Sequence, residues 1–150
     1  MGLSAWSVEP LRALAALAVK DGVGLGGLPA AQQALTLALV WSGLPADDVL
    51  AERQVNERLR VQLAGAAAFL EIDHVELRRR LVDGGWLTRD GYGREYRRVG
   101  LDALSAGQRE VADALAGIEP AVWVAELRAS HRARREARRA RWQVGGRPPS

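Results

Sequence analysis

The sequence predicts a mainly α protein with one small β-hairpin, a winged helix-turn-helix-like core followed by two C-terminal helices. Three observations carry this. Capped, amphipathic helical segments follow one another along the chain. One of them ends at Gly84-Gly85 and leads straight into two short aromatic-bearing runs. Those runs, WLTR and REYRRV, are joined by DGYG, whose Asp-Gly chemistry suits a tight turn.

The elements follow in order. Ser7 and Glu9-Pro10 precede LRALAALAVK, with Asp21-Gly22 after it. This reads as a first helix with Pro in its first turn and Gly past its end. GVGLGGLP is a flexible connector. Pro29 opens AAQQALTLALVW, apolar almost all round and so the most buried helix, and SGLPADD closes it. In AERQVNERLRVQL, Val55, Leu59 and Leu63 fall at i, i+4 and i+8 along one face of a third helix. Asp73 with Glu76 makes a capping-box start for the fourth. Ser105 with Gln108 caps a fifth, on which Leu104, Val111 and Leu115 share a face. Pro120 starts the last helix, which runs to about Trp142 and is ~33 Å long. The domain reading is a winged-helix-like unit over 1–100, a helical extension over 101–143 and a disordered tail over 144–150.

The chain has 150 residues and no Cys, which excludes a disulfide scaffold, a Cys-ligated zinc and a thiol nucleophile. The N-terminus lacks a basic signal region, and its apolar stretch falls short of the ~18 residues a membrane span needs. The expectation is a cytoplasmic protein with no membrane association. Twenty of the 21 basic residues are Arg, and with abundant Ala, Leu and Gly this looks like the codon bias of a GC-rich genome. The net charge of +3 is unevenly placed: −3 over 1–75, +3 over 76–98, −3 over 99–125 and +6 over 126–150. Two basic segments on an acidic body are the usual footprint of a polyanion partner.

The segments LAERQVNERL, DHVELRRRLVDGGWL and TRDGYGREYRR resemble the bacterial "domain of unknown function 2087" family. Its members carry an acidic-Val-Asn-Glu segment, then Asp, Leu-Arg-Arg, Leu-Val-Asp, Gly, Leu and Arg, and finally Gly and Tyr-x-Arg. The matching positions here run from Val55-Asn56-Glu57 through Asp73, Leu77-Arg78-Arg79 and Leu81-Val82-Asp83 to Gly93, Tyr96 and Arg98. The resemblance covers residues 21–98. It departs at Arg80, where an acidic residue is expected, and at the unusually apolar QLAGAAAFLEI. It implies a winged-helix-like module, often attached to regulators, and no particular reaction.

The arginines divide by position. Arg78 falls inside the apolar arc of its helix, where its stem packs and its head pairs with Asp83 or Glu57. Arg79 and Arg80 lie on the outer arc, each i, i+4 from a carboxylate: Arg79 with Asp83, Arg80 with Glu76. Such pairs stabilise by only ~0.2–0.5 kcal/mol and could be given up to phosphates. Arg89, Arg94, Arg97 and Arg98 cluster on the hairpin with Tyr92 and Tyr96. That wing suits a phosphate backbone or minor groove, or is an ordinary solvated hairpin. In HRARREARRARW, Arg128, Arg132, Arg135 and Arg139 form one helical stripe, and Arg134, Arg138 and Arg141 a second. Between them lie Ala129, Ser130, Ala133, Ala137 and Ala140, a small-residue face suited to a homodimer through this helix.

His74 and His131 stand in neither metal-ligand nor triad spacing, Asn56 is a structural hydrogen-bonder, and Asp47-Asp48 fits a turn. GVGLGG follows no strand and precedes no Lys-Ser/Thr, so it is no phosphate cradle. No catalytic residue, metal or cofactor is expected. The first reading is a nucleic-acid-binding regulator or accessory protein acting on double-stranded DNA. The second is a protein-interaction or dimerisation module with no nucleic-acid role.

Overall fold

The structure, a computed structural model, describes residues 3–145. It holds α1 (Leu3–Ala18), α2 (Ala30–Ser42), β1 (Val49–Ala51), α3 (Glu52–Leu63), α4 (His74–Asp83), β2 (Leu87–Arg89), β3 (Glu95–Arg98), α5 (Ala106–Ala114) and α6 (Pro120–Gly145). The fold is mainly helical with a small antiparallel sheet, as the sequence predicts. None of the helices described is long and apolar enough to cross a membrane. The expected tail lies largely outside the described residues, though Val144 and Gly145 still belong to α6.

The hairpin forms where expected, with Thr88 opposite Arg97. The sheet gains a third strand that the sequence reading placed in a loop and helix start. β1 pairs with β3, Leu50 opposite Tyr96, giving the order β1-β3-β2. Val49–Ala51 is too short to display a period of two, but its side chains alternate and only Leu50 turns inward.

α2 is the most buried helix, with every residue from Leu35 to Trp41 buried. The Thr36 hydroxyl there donates to the Gln32 carbonyl at 2.9 Å. Val55 and Leu59 of α3 are buried, but Gln62 goes inward further than Leu63. At α4, Asp73 accepts from the Glu76 N–H at 2.8 Å. The reciprocal half of the expected box is not made, because the Glu76 carboxylate serves Arg79 and Arg80 instead. Ser105 and Gln108 do cap α5 reciprocally, at 3.2 and 3.0 Å.

α1 begins at Leu3, so Pro10 sits inside it rather than in its first turn. The helix passes through Pro10 without one backbone bond. The Gly-rich connector is fixed rather than slack. Val23 bridges to Leu70, its N–H bonding the Phe69 carbonyl at 2.9 Å, and Leu25 is buried. The apolar QLAGAAAFLEI segment has the same cause: Ala67, Phe69 and Leu70 enter the core.

One hydrophobic core runs through all of this and includes Leu104 and Leu115, which flank α5, and Val124 of α6. At its centre Trp41 and Trp86 meet with ring centroids 5.8 Å apart, and the Trp41 indole N–H donates to the Val99 carbonyl at 2.9 Å. Gln62 closes the end of α2, its Nε2 donating to the Val40 carbonyl at 2.8 Å. The amide lies so close over Gly43 that an added Cβ would fall 2.8 Å from Nε2. Gly43→Ala should therefore destabilise the fold by about 1–3 kcal/mol, as overpacking does, read as a lower urea midpoint at unchanged slope.

Candidate nucleic-acid interface

The ten arginines singled out from the sequence separate into held and free groups. Arg98 is held. Its guanidinium stacks on Trp41, 3.8 Å from the ring centroid, and donates to the Leu44 carbonyl at 2.7 Å. Burial lowers its pKa from the ordinary value, with Asp47 opposing. Arg128 is held too: Nη1 donates to the Ala18 and Lys20 carbonyls at 2.9 and 2.8 Å, and Nη2 pairs with Asp21. It thus closes the C-terminal end of α1, as cations often do there. Asp21 is correspondingly held below the ordinary carboxylate range, first by the Arg128 hydrogen bond and its charge, with Arg135 adding to the effect. Both arginines, expected from the sequence to contact nucleic acid, have donors that already serve backbone carbonyls far away in the chain.

Removing a held arginine and removing a free one should give opposite signatures. Arg98→Ala should lower stability by about 1–3 kcal/mol through the lost carbonyl bond and indole stack. Arg97→Ala on the exposed neighbour should stay within ~0.5 kcal/mol. Chemical denaturation of both variants checks this.

On α4, Arg79 and Arg80 both pair with Glu76, at 3.3 and 3.2 Å; the expected Arg79–Asp83 pair is absent among the described residues. The Arg80 head also lies against the connector, where a Cβ at Gly26 would sit 3.1 Å from Nη2. Arg78 is structural in the expected sense but with other partners. It donates to the Asn56 Oδ1 at 2.6 Å, pairs with Glu52 at 3.0 Å and lies over the Tyr96 ring. Asn56 is accordingly a hydrogen-bonder of the fold.

Arg89, Arg94 and Arg97 are exposed on the hairpin. At its tip Arg94 lies over the ring of the exposed Tyr92 at 5.8 Å. Asp90 organises the turn by accepting from the Arg94 and Glu95 N–H groups at 2.8 and 3.3 Å, which holds its carboxyl below the ordinary range. Sequence reasoning missed that Arg79 and Arg89 come together. With Val75, Val82, Asp83 and Tyr96 they line a cleft of about 300 Å³ between α4 and the sheet. A wheel drawn for one helix cannot show convergence between two elements.

The C-terminal stripe is realised in α6. Arg132, Arg135 and Arg139 line a cleft of about 280 Å³ against Val19 and Asp21 at the end of α1, with Arg128, His131 and Glu136 completing it. Beyond His131 every described side chain of α6 is exposed, including Trp142 and those of Arg134, Arg138 and Arg141. Among the described residues, none of these six free α6 arginines makes an ion pair. The 26-residue helix is about 39 Å long, and its outer half has no apolar footing on the body.

Residues 29–98 match a family described as "Uncharacterized protein conserved in bacteria (DUF2087)". The match starts at Pro29, not at residue 21 as the resemblance implied. No curated protein and no solved structure matches the chain. The matched residues span the unit from α2 to β3, which carries the α4–hairpin cleft and the hairpin arginines, and this unit is similar to the DUF2087 family.

Proposed function

We propose that this protein is a cytoplasmic nucleic-acid-binding regulator or accessory protein that contacts double-stranded DNA mainly through its phosphates. The observation that carries the reading is the outer half of α6: six exposed arginines with one glutamate among them, none in an ion pair among the described residues. Like charges three and four residues apart on an exposed helix repel and destabilise it. A polyanion laid along it relieves the repulsion and releases counterions.

The α2-to-β3 unit supports the same reading. Helix–strand–helix–helix–hairpin with sheet order β1-β3-β2 is the order of a winged helix-turn-helix. α4 takes the recognition position and the β2–β3 turn forms the wing. Because Glu76 engages both Arg79 and Arg80, base-edge reading through α4 is limited. Arg89, Arg94, Arg97 and Tyr92 supply the wing contact. The test is anisotropy of a labelled mixed-sequence duplex at about 50 mM salt, where phosphate contacts are strong. Micromolar or tighter binding is expected, weakened about tenfold by Arg89→Glu with Arg94→Glu and Arg97→Glu. No binding by the intact chain contradicts the proposal.

A second reading, a homodimer through α6, is favoured by the exposed small face of Ala129, Ala133, Ala137 and Ala140. Sedimentation with and without duplex separates it: a dimer without duplex supports self-association independent of nucleic acid.

A further inference from the structure

The cleft between α4 and the sheet joins a fixed arginine to two that keep donors to spare. Arg78 is fixed. It is held by Asn56 at 2.6 Å and Glu52 at 3.0 Å, and it lies over the ring of Tyr96, which is only 2% exposed. Arg79 holds Glu76 through Nη1 alone, at 3.3 Å, on a side chain 67% exposed, so most of its N–H donors are open. Arg89 reaches the same cleft from β2 and makes no ion pair among the described residues.

Charge and surface together describe what such a cleft takes. The guanidinia of Arg78, Arg79 and Arg89 line it, and Arg80 shares Glu76 with Arg79. Against these four stand three carboxylates, Glu52, Glu76 and Asp83. The excess of one positive charge calls for a monoanion. Val75, 39% exposed in the first turn of α4, adds an apolar wall with Val82 and Tyr96. A bare inorganic anion would leave that wall wet, whereas an anion with an apolar body covers it. The volume of about 300 Å³ suits a small molecule.

We propose that this cleft binds a small monocarboxylate with an aromatic or aliphatic body, its carboxylate bridging Arg79 and Arg89 and its body against Val75 and Val82. A planar carboxylate matches the guanidinium fork. The inference stands on the cleft alone and does not rest on the nucleic-acid reading.

The test uses the full chain, labelled with ¹³C and ¹⁵N and titrated with benzoate at constant ionic strength. NMR follows the Nε–H groups of Arg79 and Arg89 and the methyl groups of Val75 and Val82. Benzoate should give saturating shifts at all four with a millimolar Kd, the affinity typical of so small a ligand. Benzamide, which lacks the charge, and acetate, which lacks the body, should each bind about fivefold or more weakly. Arg89→Gln, at an exposed position of β2, should weaken benzoate by a similar factor. Arg97→Gln, exposed on the same hairpin but outside the cleft lining, should leave its Kd within about twofold, since only general charge is lost. Absence of saturating shifts, benzamide or acetate binding as tightly as benzoate, or undiminished binding by Arg89→Gln would each overturn the proposal. So would an equal loss in Arg97→Gln, which would make the attraction diffuse.

Discussion

Reversing the charge at Arg132, Arg135 and Arg139 together should weaken duplex binding by about 100-fold or more at low salt, since three lost phosphate contacts at ~1 kcal/mol each multiply to that factor. The three line one cleft and make no ion pair among the described residues, and the charge of Arg135 touches the fold only through its weak pull on Asp21. Thermal stability should move by no more than ~0.5 kcal/mol. Adding Arg128→Glu would confuse the result, because that side chain closes α1 through the Ala18 and Lys20 carbonyls. Anisotropy and denaturation on the same samples check both halves. Unchanged affinity would remove α6 from the interface.

The largest expected effect on stability is at Trp86. It is buried just before β2, packed at a tilt against Trp41, and its carbonyl accepts from the Val99 N–H at 3.0 Å. Trp86→Ala should cost about 3–5 kcal/mol, the range for truncating a buried aromatic. That is a large share of the 5–15 kcal/mol typical of a whole domain. Because Trp86 anchors the hairpin, duplex binding through the wing should fall with it. Trp142→Ala is the control: that ring is exposed, and its loss should leave the urea midpoint within ~0.5 kcal/mol of the parent.

The parts of the fold visible in the sequence are those fixed by neighbours in the chain. Asp73 and Glu76, Ser105 and Gln108, and the DGYG turn each act within a few residues, and all three mark real element ends. α2 announced its burial by being apolar almost all round. What stayed hidden depends on contacts across the chain. β1 exists because β3 is there to pair with it. The Val23–Leu70 bridge ties down a segment whose glycines read as slack.

The same division runs through the candidate interface. The α6 stripe follows from helical spacing alone, and its spacing places Arg132, Arg135 and Arg139 in one cleft. Arg98 and Arg128 carried the same local signature as their free neighbours. Their acceptors are 54 and 110 residues away, and no pattern in a single sequence joins residues so far apart. Gln62 looked like one more polar residue on a helix, and only the end of α2 above it turns it inward.

The central claim is that the outer half of α6 is a phosphate-binding ridge. The most direct test compares the full chain with one ending at Ser130, which keeps Val124 and Leu127 on the core and Arg128 on α1. Affinity for a mixed-sequence duplex is measured by anisotropy across a range of salt. The full chain should show a log K–log salt slope steeper by about 2.7, at ~0.9 for each of three phosphates neutralised, and the shortened chain should bind far more weakly. Equal slopes and equal affinities in the two chains would contradict the account.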